Sequence, residues 1–168
     1  MADAGSFRFQ VQEAWMTQSQ YLEKPIHAKK NFIPIAILLF WAGFVSSISF
    51  MEAWVKFRAE GVTLPVGLSI GMKVFTALNR VEWVLLALLL ATLITYRSFT
   101  NHAKVINAIV VVMMALQTFW LLPDLSERAM QIIQGNQPEG SATHILFGVA
   151  EIIKVVTLIV GSWILARK

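Results

Sequence analysis

The sequence has no cysteine, and only 14% of its 168 residues are Asp, Glu, Lys or Arg, against 57% hydrophobic. The missing cysteine excludes disulfides, thiolate metal sites and thiol redox chemistry, and with them the quinone-linked disulfide-forming four-helix enzymes. The scarce charge excludes an ordinary soluble domain, in which about 25% of residues are charged and about 45–50% apolar. Histidine is rare as well. His27 and His102 fall on one side of the expected membrane and His144 on the other, so no pair is placed to hold a haem between helices. Neither Glu-x-x-His nor His-x-x-x-His occurs, which argues against a carboxylate-bridged di-metal centre. Residues 1–30 lack an uninterrupted apolar h-region, so no cleavable signal peptide is expected.

What is present is hydrocarbon. A spanning helix needs about 20 apolar residues to cross a core of about 30 Å. Phe32 to Met51 meets this with no charge, with Pro34 in its first turn, and Val105 to Pro123 meets it with Asn107 and Gln117 as polar interruptions. The other two runs are too short. Trp83 to Tyr96 and Val155 to Ala166 give only about 21 and 18 Å at 1.5 Å per residue. To cross, the second helix must take Glu82 into the membrane, together with Asn79 and Arg80. The fourth must take in Lys154 and Glu151. The expected fold is therefore all-α, an antiparallel bundle of four transmembrane helices spanning about 32–52, 76–96, 105–123 and 145–166. A cytoplasmic segment, 1–31, precedes the 32–168 membrane domain. Within it, Ser6 to Leu22 places Phe7, Val11, Ala14, Trp15 and Leu22 near helical spacing, which suits an amphipathic interfacial helix, the alternative being an unstructured tail with a few aromatics. Gly61 to Gly71, with three glycines and a proline, reads as a loop dipping into the outer interface, with an ordinary turn as the plain alternative.

Lysine and arginine set the expected orientation. Eight lie in segments on the side of the termini and four on the other side, so both ends are expected in the cytoplasm, as in a protein of the bacterial inner (plasma) membrane. The net charge of +4 is spread between apolar runs without interleaved aromatics, which makes it a topology signal and not a nucleic-acid surface.

The intramembrane polar residues are the candidate site. Measured from the cytoplasmic helix ends, Glu82 lies about 22 Å deep, Lys154 and Gln117 about 20 Å, and Glu151 about 24 Å, a layer in the outer half of the bilayer. His144, Gly148, Glu151 and Lys154 share a face of the fourth helix, and Asn79 and Glu82 a face of the second. Charges at this depth face the bundle interior and pair. Glu82 is expected to meet Lys154, with Gln117 and the serines at 46, 47 and 49 completing the hydrogen bonds. Arg80, about 100° round the helix from Asn79, snorkels outward.

On this reading Glu151 is a surplus carboxylate, suited to proton exchange or a cationic ligand, with His144 at the outer mouth. A mononuclear metal site from Glu82, Glu151 and His144 is the weaker alternative. The plainer alternative is a structural clasp that fixes helix register.

Four stretches, WAGFVSSISF, GMKVFTALNRVEW, LLPDLSER and THILFGVAEIIKV, occur in an order that resembles bacterial four-helix membrane proteins distantly similar to the eukaryotic transmembrane-protein-205 group. The resemblance implies the four-helix fold and no activity. Glu151 and Lys154 stand where those families more often carry neutral polar residues. The leading functional expectation is a small-solute or ion binding and transport protein, working as a homo-oligomer because four helices enclose little space. An accessory or assembly subunit of a larger membrane complex is the alternative. An enzyme acting on lipid or quinone comes third, since no nucleophile, cofactor motif or complete acid–base set is visible. No cofactor and no nucleic-acid partner is expected.

Overall fold

The computed structural model describes residues 12–13, 15–16, 25–95, 101–138 and 140–167. Of the expected interfacial helix, residues 12–13 and 15–16 are helical, and the rest of Ser6 to Leu22 lies outside the described residues. The chain divides into two units, Met1–Ile33 and Pro34–Lys168, and the second holds the candidate site and the spans except for residues 31–33 of the first.

Among the described residues there are helices and no strands. Helix α1, Pro25–Ser46, is continued by a π-helical segment, Ser47–Glu52, then by Ala53–Val55 and a 3-10 turn, Lys56–Arg58. After a short turn comes α2, Leu64–Thr95. Helix α3, Asn101–Leu116, passes through π-helical Gln117–Leu121 into α4, Leu122–Ile133, and α5 is Thr143–Ala166. Four of these helical stretches, Asn31–Arg58, Leu64–Thr95, Asn101–Ile133 and Thr143–Ala166, are long and apolar enough to cross a membrane.

Three boundaries differ from those read in the sequence. The first helix starts at Pro25, so Pro34 lies inside it instead of in its first turn. The expected loop over Gly61 to Gly71 is only a brief turn, Gly61 being its residue at positive φ, and Gly67 and Gly71 belong to α2. These two glycines serve close approach. A Cβ on Gly67 would overlap the Phe57 ring, and one on Gly71 would lie 2.7 Å from Lys56 Nζ. The third span, read as 105–123, runs on past Pro123 as helix to Ile133, in keeping with a sequence that stays helix-friendly through Gln134 before the loop at QGNQPEG. Proline cannot donate its backbone nitrogen to the preceding turn, and the chain widens into a π-helical turn just before it, so that the helix continues.

Pairs of contacts give the helix directions. Trp41 meets Glu82 and Lys56 approaches Gly71, so the first and second helices run in opposite senses. Gln117 meets Lys154 and Ile106 lies against Gly161, so the third and fourth do as well. Phe75 meets Phe147 and Glu82 meets Lys154, which makes α2 and α5 parallel. The arrangement is up, down, up, down. Leu38, Trp41 and Val45 of α1, Leu78, Leu85, Leu86 and Leu89 of α2, Val110 and Met114 of α3, and Leu158 of α5 form the main core. The outward faces stay apolar, with Val84, Leu88, Ile94, Phe119, Ile152 and Val156 exposed.

Candidate functional site

The core contains one polar cluster to which all four long helices contribute. Helix α5 supplies Glu151 and Lys154 one turn apart, α2 supplies Glu82, α1 supplies Trp41, and the two π-helical segments supply Ser49 and Gln117. Lys154 Nζ lies 2.5 Å from Glu82 Oε1 and 3.0 Å from Glu151 Oε1. It also donates to Gln117 Oε1 at 2.7 Å. An ammonium has three donors, and each has a partner here. Gln117 Nε2 donates to Glu151 Oε1 at 2.6 Å, Ser49 Oγ to Glu151 Oε2 at 3.1 Å, and Trp41 Nε1 to Glu82 Oε1 at 2.9 Å. Lys154 is 0% exposed, and Glu82, Glu151 and Gln117 are 1% exposed each.

Two local features make this possible. Glu151 and Lys154 at i and i+3 point to one side of their helix. A π-helical turn adds a residue to the ring and shifts the side chains it carries. Gln117 and Ser49 both sit on such turns, and both reach the acidic residue of α5.

The expected contact of Glu82 with Lys154 is present, but Glu151 is not left over. It shares Lys154 and holds two further donors. Asn79 lies outside the cluster, exchanging hydrogen bonds with Thr118 at 2.9 and 3.2 Å, while Trp83 Nε1 donates to the same hydroxyl at 3.0 Å. Ser46 turns back to the carbonyl of Ala42, and Ser47 is exposed. His144 is exposed at the head of α5, two turns from Glu151 and about 10 Å along the axis. It therefore does not complete a metal site with the two carboxylates. Among the described residues no group of three His, Asp or Glu is placed to hold a metal ion.

Counting charges along the sequence misses Trp41. Its signal is an indole N–H inside an apolar helix, which requires an acceptor when buried. The π-helical turn at Gln117 has a signal in Pro123, whereas the turn at Ser49 has no proline beyond it to mark it.

With both carboxylates ionised, two negative charges face one positive charge in a region closed to water. Such a cluster can hold a proton or another small cation at the carboxylate oxygens, or it can act as a clasp on four helices. Compared with protein-family models, curated proteins and solved structures, the chain matches none.

Proposed function

We propose that the chain is an integral membrane protein of the ion-binding and transport class, in which the Glu82, Glu151, Lys154 and Gln117 cluster takes up and releases one proton. The observation that carries this is the sharing of one ammonium by two carboxylates at 2.5 and 3.0 Å in a fully buried site. Unbalanced charge in a low-dielectric interior costs several kcal/mol, and one proton on the carboxylate pair balances it. The apolar outer face supports the membrane assignment. So do two Trp–Arg stacks, Arg58 over Trp54 and Arg167 over Trp163, each at 3.6 Å, of the kind found where helices leave the hydrocarbon. Both termini lie in the cytoplasm on this reading, the cluster sits in the outer half of the bilayer, and the working form is a homo-oligomer.

A second reading, an accessory subunit of a membrane complex, is favoured by one observation. The cluster residues pair with one another, and they line neither the cavity beside Lys56 and Phe75 nor the one between His102 of α3 and Val156 of α5.

Glu151→Gln separates the two. In liposomes loaded with a pH-sensitive dye, a proton site predicts flux in the wild type and its loss in the variant. It also predicts a protonated-carboxyl band in the infrared difference spectrum between low and high pH that disappears in the variant. Wild-type protein with neither flux nor such a band would leave the clasp.

A further inference from the structure

A second feature lies on the other side of the Phe75–Phe147 ring contact from the cluster. It is a cavity of about 140 Å³ between the 3-10 turn after α1, the start of α2, and α4. Its walls are apolar, from Phe57, Leu68, Met72, Phe75, Leu122 and Leu125. Its polar groups are few: Lys56, Ser126 and, at its edge, the exposed His144. Among the described residues no carboxylate lines it.

Lys56 is the unusual group. Its side chain is 10% exposed, and Nζ lies 5.3 and 5.4 Å from the ring centroids of Phe57 and Phe75. The absent side chain of Gly71 leaves room for it, since a Cβ there would lie 2.7 Å from Nζ. Its ion pair with Glu52 on the preceding turn is 3.4 Å long, against about 2.7–2.9 Å for a strong charge-assisted bond. Two aromatic faces and a stretched ion pair hold a cation at the wall of an apolar chamber, with donor capacity remaining.

We infer that this cavity binds a small monocarboxylate with an aromatic or branched aliphatic body, its carboxylate on Lys56 and its body against Phe75, Met72 and Leu125. Size sets the class, because a cavity of about 150 Å³ accommodates one benzene ring. The donors set the head group, because beyond its long bond to Glu52 the Lys56 ammonium has N–H donors to spare, and the lining adds a hydroxyl and an imidazole, all facing an acceptor. The site is separate from the proton cluster and stands whether or not that cluster conducts.

The probe is benzoate, titrated into the full chain in detergent by calorimetry, with benzamide and octanoate alongside. Saturable benzoate binding is expected, about tenfold tighter than benzamide, the scale of one charge-assisted hydrogen bond. Lys56→Met should abolish that preference and Lys56→Arg should retain it. Ala129→Leu, which fills the cavity and leaves Lys56 in place, should weaken benzoate and benzamide alike. It keeps the test decisive if Lys56→Met does not fold. Benzamide binding as tightly as benzoate, or benzoate binding unchanged in Ala129→Leu, overturns the inference. So does absence of saturable binding. Octanoate binding more tightly than benzoate would also overturn it, because the occupant would then be a lipid acyl chain and not a free small acid.

Discussion

Removing Lys154 and removing Glu82 should have unequal effects, and the inequality follows from the sharing of one ammonium. Lys154→Met leaves Glu82 and Glu151 facing each other with no cation, and deprives Gln117 Oε1 of its donor. Breaking a buried pair from one side costs about 3–5 kcal/mol, and two stranded acids put this variant at the upper end. Glu82→Gln is different. Lys154 keeps Glu151 and Gln117, the new amide oxygen can still accept from Trp41 Nε1, and the cluster becomes neutral. The loss is one charge-assisted bond exchanged for a neutral one, about 1 kcal/mol. The double variant Glu82→Gln, Lys154→Met still strands Glu151 and should recover only part of the loss. The triple variant that adds Glu151→Gln has no buried charge left and should return to within about 2 kcal/mol of wild type, as uncharged replacements of buried ion pairs do. Melting temperature and equilibrium unfolding in a fixed detergent measure each corner of the cycle, and the non-additive part is the coupling. If Lys154→Met were no worse than Glu82→Gln, or if the triple variant were as damaged as Lys154→Met, the shared-ammonium account would be refuted.

Trp41→Phe removes the indole donor to a 1% exposed carboxylate and should cost about 1–3 kcal/mol in the same unfolding assay, falling to about 1 kcal/mol when Glu82→Gln is also present, because the bond then lost is to a neutral amide oxygen. Gly161→Val should cost about 1–3 kcal/mol by overpacking, since even a Cβ at that position lies 3.2 Å from Ile106 Cγ2 and 3.6 Å from Leu38, whereas Gly148→Ala, with open space around it, should be nearly neutral. On the proposed topology, reporters active only in the cytoplasm should give signal at both termini, and an inactive C-terminal fusion would overturn that topology and the proposed outer-half placement of the cluster with it.

The four long helices are legible in the sequence because hydrocarbon length is a one-dimensional quantity, counted along the chain. The contact of Glu82 with Lys154 is legible for a related reason. Two apolar runs too short to span have to draw charges inward, and charges drawn inward must meet. The number of partners is not legible. Helical spacing places Glu151 and Lys154 on one face, but an i, i+3 contact and a cross-bundle contact exclude each other only if the ammonium serves one acid at a time, and three donors let it serve both. The glycines at 67 and 71 mislead because the same residue that permits a turn also permits close approach on a helix. Which of the two applies depends on Phe57 and Lys56, which pack against them from the preceding turn. Shared helical faces assign His144 and Asn79 to the cluster, a criterion blind to distance along the axis: two turns separate His144 from Glu151, and Thr118 takes up the amide of Asn79 before it can reach Lys154. A helical face gives direction, and only the neighbouring helices decide which residues on that face meet.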